Sequence, residues 1–96
     1  MHLKVDTDRL TEVADELSRT ASRFSGSIDA LDAGSRELRS QWTGSASAAF
    51  GARAAALDAD AREHITNLRR TSAVVRRLAE EYRQADSDGA RAVTGR

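Results

Sequence analysis

Apolar positions recur along this chain with a helical rhythm. Stepping from Leu10 alternately by four and three residues meets Ala14, Leu17, Ala21, Phe24, Ile28, Leu31, Ser35, Leu38 and Trp42, apolar at every step but Ser35. The same stepping from Phe50 meets Ala54, Leu57, Ala61, His64, Leu68, Thr71, Val75, Leu78 and Tyr82, with polar entries at His64 and Thr71 alone. A repeat of about 3.5 residues gathers such positions into one stripe on an α-helix. The pattern therefore predicts two helices that zip together, Leu10, Leu17, Phe24, Ile28, Leu31 and Leu38 on one seam and Phe50, Leu57, Leu68, Val75 and Leu78 on the other.

Local chemistry marks where those helices start and stop. Asp6, Thr7 or Asp8 can cap the first, because a short side-chain oxygen accepts a bond from an otherwise unpaired backbone N–H. Between the seams lies Gln41-Trp42-Thr43-Gly44-Ser45, where glycine can take the left-handed conformation that ends a helix and Ser45 can cap the next. The expected layout is one all-α domain over 1–96, an antiparallel helix-turn-helix hairpin with helix 1 at about 8–40, the turn at 41–45, helix 2 at about 45–85 and a flexible tail at about 87–96. Gly26 and Gly34 each cost the first helix about 1 kcal/mol relative to alanine, which makes 31–35 the place for a kink.

Two helices packed along one stripe leave their flanks open, and these flanks carry small or apolar residues: Val13, Thr20, Ser27 and Gly34 on helix 1, Gly51, Ile65, Ser72 and Ala79 on helix 2. Small side chains let backbones approach closely, so these rows are expected to pair two hairpins into a four-helix-bundle dimer. A rod of 96 residues has a poor ratio of core to surface, which favours the same outcome.

Composition narrows the function classes. Fifteen basic residues balance fifteen acidic ones, so no overall field draws the chain toward nucleic acid or an anionic membrane. The absence of proline and the abundance of alanine suit helices. Without cysteine there is neither a disulfide framework nor a thiolate metal site. His64 and His2 are the only imidazoles, so no metal site assembles and no cofactor is expected. The start at Met1-His2-Leu3-Lys4-Val5-Asp6 lacks the apolar stretch of a signal peptide. No nucleophile, base and pocket come together, so the chain is not expected to be an enzyme or to take a small-molecule substrate.

Arg62, Arg69, Arg76 and Arg83 recur every seven residues on helix 2. Such a stripe can meet an acidic partner or a phosphate backbone. The interleaved Asp60, Glu63, Glu80 and Glu81 and the lack of aromatic interleaving weigh toward a solvated face, with no nucleic acid bound.

The order of a helix, then Trp42-Thr43-Gly44 near mid-chain, then a second helix ending in Tyr82-Arg83-Gln84-Ala85-Asp86 resembles the WXG family of small ESX (type VII) secretion proteins, to which the early secretory antigenic target proteins belong. The opening Val5-Asp6-Thr7-Asp8-Arg9-Leu10 and the ending around Tyr82 to Asp88 also resemble the related EspC-type proteins of the same pathway. The resemblance implies a homodimer or heterodimer with a related WXG-type protein, exported without a cleaved signal peptide after recognition by the secretion system's membrane ATPase. It assigns Trp42, Thr43 and Gly44 to the turn motif and Tyr82 and Asp86 to a Tyr-x-x-x-Asp export signal. The rival readings are a cytosolic coiled-coil adaptor, in which Trp42-Thr43-Gly44 is only a turn, and a nucleic-acid binder using the arginine stripe.

Overall fold

The computed structural model describes residues 6–94. It consists of two helices, α1 (Thr7–Ser40) and α2 (Ser45–Thr94), laid antiparallel in a rod of 79 × 19 × 16 Å. Asp6 caps α1: its side chain accepts a bond from the Arg9 backbone N–H at 3.0 Å. Gly26 and Gly34 do not interrupt α1, which is a single helix. At its end the N–H groups of Gln41 and Trp42 bond back to the carbonyls of Leu38 and Arg39.

The reversal falls at Gly44, whose φ of 84° is the one positive value in the described backbone. A side chain there would strain the chain, so glycine is required at this position. The Gly44 carbonyl also accepts from the Ala48 N–H at 3.3 Å. Gly44 therefore occupies the capping position of α2, and Ser45, expected as the cap, is its first helical residue. At the far end α2 runs to Thr94, past the expected stop near Ala85 and through most of the expected tail from about 87. Proline is absent there, and Gly89, the weakest helix former in that stretch, costs about 1 kcal/mol without ending the helix.

The interhelical contact is built from small residues. Ala14 and Ala21 are fully buried, and Ala61, Ile65, Ser72 and Ala79 are buried opposite them. Ser72 Oγ donates to the Ala14 carbonyl at 2.7 Å, a direct side-chain-to-backbone bond between the helices. Only small side chains permit so close an approach.

This corrects the expected zipper. Ile28, Leu68 and Val75 stay near the contact, and Leu10, Leu17 and Phe50 are half-buried. Phe24, Leu31, Leu38, Leu57 and Leu78 instead point outward, Leu31 62% and Leu57 65% exposed. On α2 the row read as an outer flank, Gly51, Ile65, Ser72 and Ala79, is the inner one. Each helix is rotated so that its small row faces inward and its large row is left on the surface.

Candidate docking surface

A hairpin has two sides, and the two here differ in kind. Flanking the buried row of α1 on one side are Asp8, Asp15 and Asp29, and flanking that of α2 are Arg83, Arg76 and Arg62. They join across the seam: Arg83 to Asp8 at 3.6 Å, Arg76 to Asp15 at 2.9 Å and Arg62 to Asp29 at 2.9 Å. Arg83 also donates to Thr11 Oγ1 at 3.0 Å, and Arg62 reaches Asp32 at 3.5 Å and Asp58 at 3.0 Å. Hydrogen bonds from Arg62 to Asp58 and Asp29 push its guanidinium still further toward the protonated form. Asp58 sits on the seam, one oxygen held by Arg62 and the other buried without a hydrogen-bond partner.

These clasps account for most of the arginine stripe. Three of its four members are engaged by acids of α1. Within the helices Asp58 and Arg62 pair four residues apart, and Asp32 and Arg36 approach to 3.8 Å. Asp15 bonds Arg76, while Arg19 bonds Glu16 at 2.8 Å and with Arg23 holds that carboxyl below its ordinary range. The missed signal was the sevenfold spacing shared by Asp8, Asp15 and Asp29 on one helix and by the arginines on the other.

The opposite side is apolar. In antiparallel helices like flanks fall together, so the register set by the clasps brings the Leu10, Leu17, Phe24, Leu31, Leu38 row of α1 alongside the Phe50, Leu57, His64, Thr71, Leu78 row of α2. Leu31 and Leu57, with Ile28 and Phe50, line an open groove of about 310 Å³, which Arg53 and the Arg62 partners Asp32 and Asp58 also border. His64 is exposed within this row.

Trp42 and Tyr82 stand toward opposite ends of the rod. Trp42 packs edge-on against Phe50, ring centres 5.3 Å apart at 71°, and remains 41% exposed, so it covers the turn end without being enclosed. Tyr82 is 44% exposed and Asp86, one turn on, is exposed. A single chain does not bring the turn motif and the Tyr82/Asp86 pair together. Among the described residues no group of three His, Asp or Glu is placed to hold a metal ion, and no described helix is long and apolar enough to cross a membrane.

The class so defined is a small antiparallel helical hairpin with a Trp-x-Gly turn and one uncovered apolar side. Residues 2–87 match the family model WXG100, proteins of 100 residues with WXG, and the chain belongs to that family. Among solved structures it is similar to a secreted protein, EsxB, from Bacillus anthracis str. Sterne. The wild-type form and a point mutant each match with a TM-score of 0.80 and 22% identity, over 84% of this chain and 87% of that one. A selenomethionine form of the same protein matches with the same score over 90% of this chain and 98% of that one. No curated protein sequence matches the chain significantly.

Proposed function

We propose that the chain is a small substrate or co-exported partner of a type VII (ESX) secretion system and works by docking its apolar side onto another helical hairpin. One observation carries this reading: the large apolar residues, Phe24, Leu31, Leu38, Leu57 and Leu78, face outward while the inside is packed with alanine. Among the described residues Ile65 is the one buried apolar residue larger than alanine. The exposed area is 7487 Å², against about 5,400 Å² for a compact protein of 10.4 kDa. That excess is of the order a specific interface removes from water, and burial of such surface is the main source of association energy.

Family membership supports the pathway, and the geometry supports roles for its motif residues. Trp42 and Gly44 form the turn, and Tyr82 and Asp86 offer a phenol and a carboxylate on one exposed face of α2 as an export signal for the membrane ATPase. In an antiparallel pair of hairpins the turn of one lies beside the open end of the other, which brings Trp42 near the second hairpin's Tyr82 and Asp86. The test is secretion of the full chain from a host whose ESX ATPase is intact or inactivated. Wild type is expected in the culture filtrate only with the intact ATPase, and Tyr82→Ala or Asp86→Ala is expected to stay in the cells at normal abundance. Export of both variants at the wild-type level contradicts the signal role, and ATPase-independent release contradicts the pathway.

A further inference from the structure

The ladder of clasps lacks a rung. In steps of seven or fourteen residues, Asp8, Asp15 and Asp29 on α1 meet Arg83, Arg76 and Arg62 on α2. The same register sets Ser22 level with Arg69. A serine hydroxyl cannot neutralise a guanidinium, and among the described residues Arg69 forms no ion pair and is exposed. No acid on its own surface can serve it. Residues three and four apart are neighbours on a helix, and those around Arg69 are Ile65, Thr66, Ser72 and Ala73, while those around Ser22 are Ser18, Arg19, Ser25 and Gly26. The acids of the adjoining rungs, Asp15 and Asp29, are each held at 2.9 Å by Arg76 and Arg62, and Glu16 is held by Arg19 and Arg23.

A shallow cleft of about 480 Å³ opens beside the gap, lined by Ser18, Arg19, Ser22, Arg23 and Arg76 with Asp15 as its one acid. Positive charge is therefore in excess here although the whole chain is neutral: Arg19, Arg23, Arg69 and Arg76 stand against Asp15 and Glu16. The small residues Ser22, Ser25, Gly26 and Ala73 leave room for a side chain to come down between the helices from outside.

We propose that the gap is a docking point for an acidic segment of a partner protein, whose aspartate or glutamate carboxylate takes the place of the absent acid and bonds Arg69. The ladder itself shows the chemistry, since its other arginines each take a carboxylate. A guanidinium presents a planar fork of donors that matches a carboxylate, and the Ser18 and Ser22 hydroxyls at the rim can donate to its second oxygen. No aromatic side chain lines the cleft, so a nucleic acid would find nothing there to stack its bases on. The gap lies on the clasped side and leaves the leucine row open. It is independent of the docking reading above, and a hairpin held on the apolar side can be bound at the same time.

Titration of the full chain into a fluorescein-labelled oligoglutamate at low salt, followed by anisotropy, tests this, with helicity checked by circular dichroism. The expected result is saturable binding that weakens as salt is added and that an uncharged oligoglutamine does not show. Ser22→Asp supplies the missing acid from within the chain and is expected to weaken binding about fivefold, as is Arg69→Gln. Ala56→Asp, the same change of charge at an exposed position away from the gap, and Arg77→Gln are expected to stay within about twofold of wild type. Leu31→Ser with Leu57→Ser is expected to bind as wild type does, which keeps a failure of the apolar side apart from a failure here. Binding that Ser22→Asp or Arg69→Gln leaves unchanged, or that Ala56→Asp and Arg77→Gln weaken equally, overturns the gap as the site. Absence of oligoglutamate binding at low salt overturns the carboxylate. Tighter binding of an oligothymidylate of equal charge overturns the protein partner in favour of a nucleic acid.

Discussion

The two sides of the rod solve different problems with the same heptad spacing. On the clasped side Asp8, Asp15 and Asp29 meet Arg83, Arg76 and Arg62 and set the register of α1 on α2. On the other side leucine and phenylalanine recur at that spacing and are only half-buried or exposed, Leu31 and Leu57 most of all. Exposed ion pairs are worth little in free energy, whereas each large apolar residue that becomes buried contributes about 2 kcal/mol. The clasped side therefore aligns the helices, and the apolar side holds the stabilisation that a second hairpin would release. Between them lies a thin seam of alanine, serine and glycine with the single larger residue Ile65, which lets the helices touch but contributes little burial of its own.

Substitutions separate these roles. The largest effect is expected at the seam: Ala21→Leu forces a bulky side chain into a fully buried position and costs the hairpin about 3 kcal/mol, read from a urea or thermal melt. Leu57→Ala should leave the single hairpin within about 1 kcal/mol of wild type, because the side chain is already mostly in water. Its effect belongs to association, where a loss of about 2 kcal/mol weakens docking roughly thirtyfold by titration calorimetry or sedimentation.

Gly26→Ala lies on neither side, and a methyl there meets nothing within 4 Å. It is expected to add about 1 kcal/mol and raise the melting temperature by several degrees with docking unchanged. The smallest effect concerns Arg69, which among the described residues has no acid across the seam, Ser22 standing at the position that Asp15 and Asp29 hold on either side. Ser22→Asp should complete the ladder, gain at most about 0.5 kcal/mol and lose that gain in 1 M salt.

Much of this was legible in the sequence. The two helices follow from the stepping through Leu10 to Trp42 and Phe50 to Tyr82, and the left-handed turn from Gly44. The rotation of each helix was not legible. A heptad pattern shows that several rows around a helix are unlike, and large residues such as Leu31 and Leu57 draw attention as core. Which row turns inward depends on what approaches it. Here the partner helix brings Ala14 and Ala21 against Ile65, Ser72 and Ala79, and the large rows are displaced to the side. The arginine clasps were hidden for a related reason, since Asp15 and Arg76 are far apart in sequence and meet only once the turn has set the register. The same outward rotation moved the docking surface from the expected small-residue flank to the leucine row.

The central claim is that the leucine row, and not the clasped side, is where another hairpin binds. Its most direct test is sedimentation of two double variants, Leu31→Ser with Leu57→Ser and Asp15→Asn with Arg76→Gln, each measured alone and mixed with a second WXG100 hairpin, with helicity confirmed by circular dichroism. The account predicts that the leucine pair stays helical and loses association, while the clasp pair associates within a fewfold of wild type. Undiminished association of the helical leucine variant would contradict it.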